Sequence, residues 1–200
     1  MTTNLGVAYG PQIAAAAARH HLDARLLAAV AAQETGGPGS SSGRNIVGDG
    51  GHGRGVFQID DRYHPFARTA AAMDPARNAD YAAGLLAASL ERYGGDVHAA
   101  LSAYNAGSPE AAGTRTDWGD GPRLGYADSV LRHYAELGGP GTASTGPTAG
   151  PLDALLGFVA LLGGSAVSGQ PQLPPYRPLA QPDQNDSGDT APAVLADGDA

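Results

Sequence analysis

Three carboxylates that could do chemistry, Glu34, Asp49 and Asp60, lie close together in the first third of the chain, each in a different kind of sequence. Glu34 ends a run of helix formers, Asp49 stands among glycines, and Asp60 closes the alternating run Gly55-Val56-Phe57-Gln58-Ile59-Asp60. Leu27, Val30, Ala31 and Glu34 are spaced by three, four and seven residues, so at about 100° per residue they share one stripe of a helix. That stripe puts a carboxyl on an apolar face and in the last helical turn, where free carbonyls disfavour a second negative charge. Both effects raise its pKa, and a carboxyl that keeps its proton near neutral pH can act as a general acid. On spacing alone, such a glutamate is more often a solvated residue at a frayed helix end.

The elements that must position these groups are helices. Pro11 after Gly10 opens a short first helix through Ile13 to His21, and Asp23 is the expected N-cap of Ala24 to Thr35, the helix that delivers Glu34. The adjacent His20 and His21 diverge by about 100° on a helix and do not converge on one ion, so they read as a polar helix end. The Gly/Ser-dense stretch from Gly36 to Gly55 excludes a regular helix and predicts a loop with a small hairpin. Its Gly-x-Gly spacing lacks the preceding strand and the Gly-Lys-Ser/Thr of a phosphate loop. The run from Gly55 to Asp60 reads as one short strand, with Gln58 and Asp60 pointing the same way. Asp74-Pro75 starts a helix that stops at Gly94-Gly95, Asp96 caps another that ends at Asn105 beside Gly107, and a last helix spans Gly125 to Leu137.

The block Glu34-Thr35-Gly36, followed by Gly48-Asp49-Gly50-Gly51-His52-Gly53-Arg54-Gly55-Val56-Phe57-Gln58-Ile59-Asp60 and later by Ala103-Tyr104-Asn105-Ala106-Gly107, resembles the goose-type lysozyme and SLT-like lytic transglycosylase group. The resemblance runs from about Pro11 to Leu137. It departs from the group's pattern at Thr35, where Ser is usual, and at Val56-Phe57, where Leu-Met is usual; hydroxyl and apolar bulk are kept. The resemblance implies a mainly α, lysozyme-like helical domain with a small β-hairpin beside an active-site groove. It also implies cleavage of the β-1,4 bond between N-acetylmuramic acid and N-acetylglucosamine in peptidoglycan, with Glu34 as the acid. Asp60 and Asp49 become candidates for holding a water, and Gln58, Tyr104, Asn105 and Tyr126 for lining the groove. Core packing and helix capping are the alternatives for Tyr104 and Asn105, and packing is the alternative for Tyr126. A water held at about 6.5–9.5 Å from Glu34 gives hydrolysis with inversion, the outcome favoured by the presence of both aspartates. Without it, the sugar's own 6-hydroxyl gives the 1,6-anhydro product of a lytic transglycosylase. The reading from another class is a noncatalytic glycan-binding or virion structural module.

Composition limits the rest. The 200 residues contain no cysteine, so neither disulfides nor thiolate metal sites are available, and no metal or cofactor is expected. The net charge of −8 is uneven, with one Arg and six Asp in residues 138–200, and it offers nothing to recruit nucleic acid. The expected organisation is a catalytic domain over 1–137, functioning as a monomer, and a disordered Gly/Pro/Asp-rich tail over 138–200. The apolar segment 152–162 is too short for a bilayer core, which needs about 20 residues, so no transmembrane segment is expected. No conventional signal peptide is expected at the N-terminus either, so action on the cell wall would imply another route, such as a virion, a holin-type lysis pathway or a specialised secretion system.

Overall fold

The structure, a computed structural model, describes residues 5–40 and 43–140; the expected tail and its apolar segment lie outside the described residues. Five helices carry the fold: α1 (Gly10–Arg19), α2 (Ala24–Thr35), α3 (Pro75–Arg92), α4 (Val97–Ala106) and α5 (Tyr126–Glu136). Between α2 and α3 lies an antiparallel sheet of three very short strands in the order β1 (Ile46–Gly48), β2 (Gly53–Gly55), β3 (Ile59–Asp60). This is the mainly helical, lysozyme-like architecture with a small sheet on one side.

The helix starts follow the sequence closely. Asp23 accepts from the Arg25 amide at 2.7 Å, Asp74 from Arg77 at 2.9 Å and Asp96 from Ala99 at 2.9 Å. Each such N-cap stabilises by about 1 kcal/mol relative to alanine. The helix α2 departs from the one-sided stripe: Leu26 to Ala32 are all buried, so it is the central strut of the core rather than a surface helix. Its many alanines let α1 and α5 pack directly along it, with Ile13, Ala16 and Val130 fully buried against the same cluster. A strut enclosed on all sides holds whatever its end carries.

The single strand expected over Gly55–Asp60 is replaced by the second turn of a meander. Gly53 pairs with Asp60 and Arg54 with Ile59, and Val56 to Gln58 form the connection. Gln58 has φ 46°, a left-handed conformation that breaks the alternation between Gln58 and Asp60. The buried Asn78 of α3 holds this turn: its carbonyl accepts from the Phe57 amide at 2.8 Å, and its amide donates to the carbonyls of Arg54 and Ala72, each at 3.0 Å.

Candidate active site

Glu34 is 8% exposed at the C-terminal end of α2. The Tyr126 hydroxyl, from the first residue of α5, donates to its Oε1 at 2.6 Å. Its Oε2 is buried with no hydrogen-bond partner among the described residues. Burial pushes the pKa from 4.5 up to about 7, against the Tyr126 bond, which pulls it down. Among the described residues no cation is paired with this carboxyl, so burial prevails and the proton is held more tightly than on a solvated glutamate. Tyr104 of α4 lies in the same buried region, its ring stacked at 6.4 Å on Tyr126, and burial followed by the Glu34 charge raises its phenol. Of the residues expected near the acid, Tyr126 is thus on the carboxyl itself and Tyr104 behind it.

The end of α2 is tied on both sides. The Thr35 hydroxyl lies 3.1 Å from the Val56 carbonyl and 3.2 Å from the Ala31 carbonyl, sharing its one proton between them, and it accepts from the Arg44 amide at 2.6 Å. The hydroxyl that stands where the group usually has serine therefore joins the helix to the sheet side. Toward α5, Ser129 donates to Gln33 Oε1 at 2.5 Å, and Gln33 Nε2 donates to Thr116 at 2.8 Å. Trp118 Nε1 donates to Ser129 at 2.9 Å. Gln33, Ser129, Thr116 and Trp118 were not among the sequence-derived candidates. Only the adjacency of Gln33 to Glu34 hinted at one of them.

The two aspartates are in a different state. Asp60 is fully buried, and Arg62 grips it with its backbone amide at 2.7 Å and with Nε at 3.0 Å from both carboxylate oxygens. Burial alone would raise the Asp60 pKa, but the Arg62 hydrogen bonds and charge outweigh it and the net shift is downward. Arg62 Nη2 donates both to Asp60 Oδ2 and to Asp49 Oδ2, and Asp49 sits at φ 48° in the turn joining β1 to β2. Asp49 and Asp60 are therefore brought together, but through a shared guanidinium that sequence reasoning missed. The missed signal is the Asp60-x-Arg62 spacing, which lets a turn fold the cation back onto the carboxylate.

Gln58 and Asn105, expected to line the groove, have their side chains engaged with backbone. The Gln58 amide donates to the carbonyls of Gly55 at 2.8 Å and Ile46 at 3.2 Å. It lies so close to the hairpin that a Cβ on Gly48 or Gly53 would come within 2.1 or 2.4 Å of its Oε1. These two glycines are required by that close approach. Asn105 accepts from the Thr114 amide at 2.9 Å and so fixes the segment between α4 and α5. Both side chains thus hold loops in place, because backbone polar groups beside them need partners.

One group among the described residues has the spacing of a cation site: His52, Asp60 and Asp61 offer ligand atoms within 4.8 Å of one another. Its carboxylates are already engaged, since Arg62 holds Asp60 while His52 and Arg54 hold Asp61 at 2.8 and 3.2 Å. No helix among the described residues is long and apolar enough to cross a membrane.

A buried, uncompensated carboxyl at the end of a central helix, flanked by a small sheet, defines a lysozyme-like protein. Residues 11–117 match the transglycosylase SLT domain family, and the chain belongs to that family. A transglycosylase of Enterobacteria phage PRD1 is similar, 34% identical over 139 residues that make up 69% of this chain and 47% of that protein. The chain thus spans about half the length of the curated relative it matches. No solved structure matches it.

Proposed function

We propose that the chain cleaves peptidoglycan glycan strands between N-acetylmuramic acid and N-acetylglucosamine as a lytic transglycosylase, with Glu34 as its proton carrier. The observation that carries the proposal is the asymmetry of the Glu34 carboxyl: Tyr126 occupies Oε1, while Oε2 is buried and unpartnered. In the protonated form Oε2 donates its proton to the glycosidic oxygen as the C1–O bond breaks, and the leaving sugar departs as a free alcohol. Positive charge on the muramic ring is then quenched by its own 6-hydroxyl, which closes the anhydro ring and returns its proton to Glu34. One carboxyl with a pKa of about 7 suits both halves of this cycle, because neither protonation state is far from neutral pH.

The family match and the phage relative, a transglycosylase, support the anhydro outcome. So does the hold of Arg62 on Asp60, which lowers the pKa of that carboxylate and leaves it less basic for activating a water. Hydrolysis is the second reading; it is favoured by Asp49, whose side chain keeps 18% exposure at the edge of the hairpin. Mass spectrometry of the released fragments separates the two. The proposal expects fragments lighter by one water than their reducing-end counterparts, and reducing ends as the initial product would replace it with hydrolysis.

A further inference from the structure

Two rungs join the same pair of helices. Residues 33 and 34 are neighbours at the end of α2, and residues 126 and 129 are one turn apart on α5. The Tyr126–Glu34 bond at 2.6 Å forms one rung and the Ser129–Gln33 bond at 2.5 Å the other. Tyr126 directly follows the long connection between α4 and α5, so its place depends on how that connection is held. The connection is held in part by Gln33, through Thr116 at 2.8 Å. Thr116 in turn exchanges two backbone bonds with Leu124, at 2.8 and 3.0 Å, closing the segment that leads into Tyr126. The fully buried Ser129 receives the Trp118 indole from the same connection at 2.9 Å.

We propose that Gln33 is a positioning residue, whose amide locks Ser129 of α5 and Thr116 of the α4–α5 connection to the end of α2 and thereby sets the Tyr126 hydroxyl against Glu34. A side-chain amide is suited to this because it offers an acceptor and a donor at once, one for each element. The inference rests on the proposed role of Glu34, and it concerns how that carboxyl is tuned. The titratable groups that act on Glu34 are Tyr126 from α5 and Tyr104 from α4. Loosening the second rung weakens the Tyr126 bond, which favours the ionised carboxylate, so the proton is held more tightly.

The test is a carbon-detected NMR titration of the Glu34 carboxyl in the substrate-free protein, with melting temperatures taken alongside. The variants are Gln33→Met, Ser129→Ala and Thr116→Val, each alone and with Tyr126→Phe. The expected result is an upward shift of the Glu34 midpoint by about half a unit or more for Gln33→Met and Ser129→Ala, a smaller one for Thr116→Val, and no further shift from any of them once Tyr126→Phe is present. Midpoints that stay put or move down, or shifts of equal size with Tyr126→Phe, would overturn it. Should Gln33→Met fail to fold, Ser129→Ala and Thr116→Val are read by the same criterion. Because the titration uses no substrate, a chain that cleaves no glycan leaves this result standing, while a cleaving chain with unmoved midpoints refutes the Gln33 assignment alone.

Discussion

The two acidic regions of this molecule carry the same functional group and give it opposite properties. At the end of α2, Glu34 is buried beside two tyrosines, and its pKa rises to about 7. In the hairpin, Asp60 is also shielded from solvent and burial alone would raise its pKa, yet Arg62 holds it below the ordinary value. Burial therefore does not decide the outcome by itself; what decides it is whether a cation comes with the carboxylate into the low-dielectric surroundings. A hydroxyl partner leaves a carboxyl able to pass its proton on. A guanidinium partner produces a fixed ion pair that braces the sheet.

The largest effect expected from this contrast is on activity. Glu34→Gln keeps the size of the side chain and an acceptor for Tyr126 but removes the transferable proton. Cleavage of cell-wall material in a zymogram should fall by about 10²–10⁴-fold, the usual contribution of general acid catalysis, while the protein stays folded. Near-normal turnover by the folded variant would remove Glu34 from the chemistry.

The same variant sharpens the comparison through stability. Because the native pKa of Glu34 lies above its unfolded value, the native state binds more protons between pH 4.5 and about 7, and stability falls as pH rises through that window. The cost is absent below pH 4.5 and complete above about pH 7, where it amounts to about 3 kcal/mol. Glu34→Gln should therefore raise the melting temperature relative to the wild type more at pH 8 than at pH 4.5. An equal difference at both pH values would mean that Glu34 is not held protonated by its surroundings.

A smaller effect, on stability rather than chemistry, is expected in the hairpin. Asp60→Asn leaves Arg62 without its buried partner and should cost about 1–3 kcal/mol, less than a fully buried pair because Arg62 is partly solvated. Its sign in pH is opposite to that of Glu34: the Asp60 contribution is present above the ordinary value of 3.8 and lost as pH falls below it. Asp49→Asn should cost under about 1 kcal/mol, as expected for a pair near the surface. Chemical denaturation measures both, and the folded variants should keep cleaving. A folded Asp60→Asn protein as inactive as Glu34→Gln would instead make Asp60 the group that holds water.

Much of this arrangement was legible in the sequence because it rests on local rules. Asp23, Asp74 and Asp96 stand where caps stand, and the spacing of Leu27, Val30, Ala31 and Glu34 put the carboxyl on the apolar face of a helix, though it did not reveal that α2 is buried on every side. The turn at Val56–Gln58 was not legible, because alternating residue types imitate a strand while the left-handed φ of Gln58 leaves no mark in composition. Nor was the pairing of Tyr126 with Glu34, which lie 92 residues apart, or the double grip of Arg62, which depends on a turn bringing β3 beside the Asp49 loop. Gln58 and Asn105 carry groups that could bind a sugar, and only their contacts reveal that backbone has already engaged them.

The most direct measurement is a carboxyl NMR titration of the wild-type protein that follows Glu34 and Asp60 together. The account predicts a Glu34 midpoint near 7 and an Asp60 midpoint below 3.8. A Glu34 that titrates near 4.5 with the solvated carboxyls, or an Asp60 that titrates above it, would contradict the account.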